Sequence, residues 1–85
     1  MPKAVDFRAE LRRQLAHAQK QLLPHTDINA GDLHRDVGGY PGPGHGMPNC
    51  CQVMRAEMRT GDTIVGGKQL KGAGAALTIR FLLPR

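Results

Sequence analysis

A chain of 85 residues buries only about 60% of its unfolded surface, which leaves no room for a deep active site around a large cofactor beside a core. Twelve Lys and Arg against seven Asp and Glu give a net charge of +5, which favours a polyanionic partner. With 40% hydrophobic residues, one Tyr, two Phe and no Trp, the core must come from Leu, Val, Ile, Met and Ala, and one domain spanning residues 1–85 is expected.

Along the chain, Asp6 is placed to cap a helix running to about Leu22. Phe7, Leu11, Leu15, Ala18 and Leu22 recur at spacings of three and four, with Arg8, Arg12, Arg13 and Lys20 on the other side. Pro24 ends it. His25 to Ile28 is a brief β-like run, and Asn29 to Asp32 has the form of a capping box, with Asn29 capping and Asp32 reaching back. A short helix from about Ala30 to Val37 follows, with Leu33 and Val37 inward and Gly38 and Gly39 stopping it.

The segment 38–46, GGYPGPGHG, holds five glycines and two prolines and continues neither a helix nor a strand. Tyr40 is expected to pin this loop by packing over its own prolines. Pro48 and Asn49 open the next helix, in MPNCCQVMRAEMR, with Asn49 and Gln52 forming a second capping box. At about 100° per residue, Met47, Cys50, Cys51, Met54 and Met58 share one arc. Asn49, Gln52, Arg55, Ala56 and Arg59 cover the opposite side. Asn, Gln and Arg are side chains that pair with base edges or phosphates, and Ala56 lets a helix approach closely. Capping would compete with base reading at Asn49 and Gln52, but not at Arg55 or Arg59.

Thr60-Gly61-Asp62 ends this helix, and two β-like segments follow, Thr63 to Val65 and Ala75 to Leu83. They read as an antiparallel hairpin around GGKQLKGAG, a glycine-bounded tip carrying Lys68 and Lys71. Leu77, Ile79 and Phe81 alternate with Thr78, Arg80 and Leu82, so one face packs on the helices. The expected class is α+β, three helices with a small antiparallel sheet, the strand at 25–28 pairing with the closing hairpin.

Other chemistry finds little support. His34, His45, Cys50 and Cys51 offer zinc-ligand types, but adjacent cysteines on a helix diverge by about 100°, whereas zinc motifs separate them by two to four residues. Two buried structural thiols are expected instead, with no metal, no cofactor and no disulfide, because vicinal cysteines bridge only with strain. A nucleophilic Cys beside His45 has no carboxylate orienter and no oxyanion hole, so no catalytic residues are assigned. Neither glycine-rich segment ends in the Gly-Lys-Ser/Thr that a phosphate loop requires. His17 and His25 are expected to face solvent. No apolar run reaches the roughly 20 residues of a membrane span, and the N-terminus reads as lacking a signal segment, so a cytoplasmic protein is expected.

By element order, helix, strand, helix, turn, helix, hairpin, the chain resembles the winged helix-turn-helix family. The turn of residues 38–46 is longer than that family's usual one. The resemblance implies a DNA-binding module with its third helix in the major groove and a basic wing on the adjacent backbone. Asn49, Gln52, Arg55 and Arg59 then face bases, Lys68 and Lys71 serve the wing, and Arg35 on the second helix touches phosphate. A second resemblance, carried by INAGDLHRDVGGYPGPGHGMPNCCQVM and GAGAALTIRFLLPR, is to small bacterial proteins of restriction-type or HNH endonuclease contexts. The nuclease constellation itself is missing, because His34, His45 and Asn49 do not form a metal-holding ββα unit. This resemblance implies the DNA-reading part of a DNA-processing system, or a regulator. The rival expectation is the same fold used as a protein-interaction module or a subunit of a larger complex.

Overall fold

The computed structural model describes residues 3–38, 46–67 and 74–85. The order is α1 (Ala4–Lys20), β1 (His25–Asn29), α2 (Ala30–Val37), α3 (Met47–Ala56), β2 (Thr63–Gly66) and β3 (Thr78–Leu82). This is the α+β arrangement expected, with β3 central in the antiparallel order β1-β3-β2. No helix among the described residues is long and apolar enough to cross a membrane.

The apolar stripe of α1 does what its spacing requires, burying Phe7, Leu11, Leu15 and Ala18. Its ends differ from expectation. Lys3 is the N-cap, and Asp6 acts from inside the first turn, its carboxylate accepting the Lys3 N–H at 2.8 Å. The helix stops at Lys20 because the Leu23 N–H turns back to the Ala18 carbonyl (3.3 Å) and the Leu22 N–H to that of Gln19 (3.0 Å). This places Leu22 at φ 62, off the stripe and 90% exposed.

Helix α2 begins as its sequence signals, with the Asn29 carboxamide oxygen accepting the Asp32 N–H at 3.0 Å. Asp32 does not complete the box. Its carboxylate binds Arg35 at 2.7 Å, since the N–H groups at this helix start are engaged elsewhere. Ala30 and Gly31 donate to the carbonyls of Leu77 and Ala75 at 2.8 and 3.2 Å. Those bonds also explain why β3 begins at Thr78 rather than Ala75: residues 75–77 cap α2 instead of extending the ladder.

Inward residues of all elements meet in one cluster, which includes Phe7 and Leu11 of α1, Ile28 of β1, Leu33 of α2, Cys50, Val53 and Met54 of α3, and Ile79 and Phe81 of β3, with Leu77 just before it. The alternation in β3 holds, with Ile79 and Phe81 buried and Leu82 exposed. On the outer side Asp27 and Arg80 pair across β1 and β3 at 2.9 Å, and the hydrogen bond from Arg80 holds the Asp27 carboxyl below its ordinary range.

The turn after α3 is built around Asp62. Its carboxylate accepts the Arg59 N–H and the Leu82 N–H, both at 2.8 Å, and the Arg85 guanidinium at 2.7 Å. Gly61 takes φ +96 there, a left-handed conformation that favours glycine, and a Cβ would also displace the end of the Leu82 side chain. The Asp62 and Arg85 side chains retain only 1% and 8% of their exposure. Burial works against the Asp62 charge, but the three donors outweigh it and hold its carboxyl below the ordinary range.

Two stability measurements follow from these contacts. Asp62→Ala leaves Arg85 buried without its counter-charge and is expected to cost about 3 to 5 kcal/mol at pH 7 in urea denaturation. The folded pKa of Asp62 is depressed, so its contribution is complete above the unfolded value of about 4 and is lost as pH falls through the folded value. The gap between parent and variant therefore narrows only on acidification below about pH 4. By contrast, Leu22→Gly relieves a left-handed residue with almost no buried surface. It is expected to raise stability by roughly 1 kcal/mol, less whatever the unfolded chain gains in freedom.

Candidate nucleic-acid interface

Helix α3 divides cleanly. Met47, Cys50, Cys51, Val53 and Met54 are buried, while Pro48, Asn49, Gln52 and Ala56 are exposed and Arg55 is half-buried. Val53 joins the buried arc because the helix packs against both α1 and α2, a contact wider than the stripe its methionines and cysteines mark. Unlike α1 and α2, this helix contains no Asp or Glu. Its outer surface is therefore amide, guanidinium and methyl, with no carboxylate to repel a phosphate.

The start of α3 departs from expectation. Gly46 is the N-cap, no side chain caps the helix, and Asn49 sits within the first turn with Pro48 before it. Asn49 and Gln52 thus do not form a capping box, and the conflict between capping and reading does not arise. What holds this end is His34. The Gly46 N–H donates to its Nε2 at 2.9 Å, which places the proton of a neutral ring on Nδ1, and the ring stands edge-on to Phe7 with centroids 4.9 Å apart. His34 is fully buried. A signal for this was available: Ala30, Leu33, His34 and Val37 form an i, i+3, i+4, i+7 stripe, which places His34 on the core face of α2.

The far end of α3 is held by Glu57. Its carboxylate meets Arg8 at 3.3 Å and Arg12 at 3.1 Å, both on α1, so the first acidic residue after α3 is drawn away from the outer face. The helix accordingly ends at Ala56, not at Gly61, and tightens through Glu57 and Met58, whose N–H groups reach Val53 and Arg55. Arg59 falls outside it. With its N–H bound to Asp62, Arg59 leaves the row of Asn49, Gln52 and Arg55 and lies instead beside α1.

The remaining residues singled out in the sequence are scattered. Arg35 is exposed on α2 and paired with Asp32 one turn earlier. Lys68 and Lys71, with Tyr40 and His45, lie outside the described residues. Among the described residues no three His, Cys, Asp or Glu side chains gather as a metal site. His17 is exposed and touches Gln21, whereas His25 is half-buried in β1.

Cys50 and Cys51 are both free thiols within the core. The Cys50 Sγ donates to the Ala30 carbonyl at 3.5 Å, and Cys51 exchanges contacts with the Gly74 backbone at 3.4 Å. Burial, with the neighbouring Cys51 thiol adding to it, pushes the Cys50 pKa up to about 12, opposite to what a nucleophile or a metal ligand requires.

Comparison with protein families, curated proteins and solved structures finds no match to this chain.

The thiols provide a direct check on this packing. Cys50→Ser is expected to destabilise the domain by about 1 to 3 kcal/mol, because a hydroxyl replaces an apolar sulfur. In the folded parent at neutral pH, Cys50 should stay unreactive toward a thiol-disulfide reagent and label only on addition of denaturant.

Proposed function

We propose that this chain is a DNA-binding module of winged-helix type, in which the exposed face of α3 enters the major groove. The observation that carries this reading is the acid-free outer face of α3, where Asn49, Gln52 and Arg55 stand beside the small Ala56 while the opposite face is wholly consumed by the core. Asn and Gln suit adenine, Arg suits guanine, and Ala56 lets the backbone approach thymine methyls. The order of elements supports it, with β1 pairing the strand that closes the hairpin.

The distribution of charge supports it too. Among the described residues Arg8, Arg12, Arg13, Arg35, Arg80 and Arg85 are ion-paired, which neutralises much of the charge away from α3. Lys68 and Lys71, in the segment joining β2 to β3, are the wing contacts of this proposal, and Arg35 a phosphate contact that exchanges Asp32 for the backbone. A regulator, or the DNA-reading part of a larger DNA-processing system, is the role this module fits.

A second reading, a protein-interaction module, has its own observation. Leu22, Leu23 and Leu82 are 90%, 41% and 41% exposed. Leu23 and Leu82 are brought near each other by the bond from the Leu83 N–H to the Pro24 carbonyl at 2.9 Å. A partner would cover these exposed leucines.

Binding to mixed-sequence duplex DNA in a salt series separates the two. With about four to six phosphate contacts, log affinity should fall against log salt with a slope of roughly −4 to −5. Replacing Lys68 and Lys71 together by Ala should weaken binding equally on all sequences and flatten the slope by up to about two units, whereas Arg55→Ala should change the preference among sequences. No measurable binding at low salt would refute the proposal. Unaltered binding by the double lysine variant would remove the wing from it.

A further inference from the structure

A cation-lined recess lies away from the outer row of α3. It is a groove of about 410 Å³ between the C-terminal half of α1 and the turn after α3, a volume within the range of small-molecule sites. Leu15 and Ala16 supply apolar surface, and Arg12, Lys20 and Arg59 bring cations from two separate elements.

Its side-chain charges are not balanced. Glu57 is the carboxylate that lines the groove, and both its oxygens are occupied: Oε1 by Arg8 and Arg12, Oε2 by the Arg12 Nε at 3.4 Å. Arg85 is equally committed, bound to Asp62 and to the carbonyls of Glu57 and Leu82, with its guanidinium 5.2 Å from the Phe81 ring centroid. Arg85 therefore forms a fixed wall. Lys20 and Arg59 meet no carboxylate among the described residues, although they line the same recess.

We infer that this groove is a binding site for a phosphate monoester, separate from the DNA-facing surface of α3. The argument is one of charge and shape. Lys20 and Arg59, two cations held in no ion pair among the described residues, match the charge of a phosphate monoester at neutral pH, about −1.5 to −2, whereas a carboxylate would neutralise only one of them. The phosphate sits between Lys20 and Arg59, beside the carboxamide of Gln19, whose oxygen accepts the Arg85 N–H at 2.9 Å, and the body of the ester covers Leu15 and Ala16.

The test is an amide NMR titration of the full chain at constant ionic strength with phenyl phosphate, inorganic phosphate and benzoate. Phenyl phosphate is expected to give saturable shifts centred on Gln19, Lys20 and Arg59. Tighter binding of phenyl phosphate than of inorganic phosphate identifies an organic ester as the source, and equal binding identifies free phosphate; both support the site. Lys20→Ala and Arg59→Ala should each weaken phenyl phosphate about three- to tenfold while leaving the urea midpoint of unfolding unchanged. Neither ligand saturating, benzoate binding as tightly as phenyl phosphate, or no loss in the two variants would overturn the inference. If Lys20→Ala weakens duplex DNA as much as it weakens phenyl phosphate, the groove belongs to the DNA surface and the separate site is refuted.

Discussion

Strand β3 is the element on which the other parts close. It pairs with β1, some fifty residues earlier in register, and with β2 just before it, so the first third of the chain and the last are joined through one set of backbone bonds. Its inward side chains, Ile79 and Phe81, with Leu77 just before the strand, supply the floor on which the helices rest. The residues that lead into it cap α2 through the carbonyls of Ala75 and Leu77, and Leu82 is tied to Asp62 as the strand leaves. In a chain with a thin, aromatic-poor core, such long-range pairings fix the positions of helices that their own packing would leave adjustable.

Helix α3 depends on this frame at both ends. His34 takes the Gly46 N–H where a capping side chain would otherwise stand, and Glu57 is drawn onto Arg8 and Arg12. Between these points one face is buried against α1 and α2, which prevents the helix from turning about its axis. The outer row of Asn49, Gln52 and Arg55 is thus presented by a held scaffold, which a surface that reads an ordered ligand needs, since each side chain placed in advance is one less to order on binding.

Charge is handled differently on the two sides of the molecule. Around α1, α2 and the sheet, carboxylates neutralise arginines in pairs, many of them exposed and each worth little to stability. Asp62 and Arg85 are the exception, because burial turns their pairing into a condition of the turn's existence. That turn also sets Arg59 apart from α3 and beside Lys20, creating a recess whose chemistry differs from that of the helix it follows.

The local features were legible in the residues themselves. The stripe of α1, the Asn29 cap and full extent of α2, the two-faced character of α3 and the alternation in β3 are periodic or short-range, and periodicity survives folding because one face of each element must be buried. The class of fold followed from their order. What needed the tertiary structure were the contacts between residues distant in sequence: His34 reaching Gly46, Glu57 reaching α1, and Arg85 reaching Asp62. They also moved the ends of elements, releasing Asn49 from a capping role and ending α3 before Arg59. Neither shift is encoded in local propensity: at the start of α3 the Gly46 N–H binds His34, twelve residues earlier, and at its end the Arg59 N–H binds Asp62, whose carboxylate is held in place by Leu82 and Arg85 from the end of the chain.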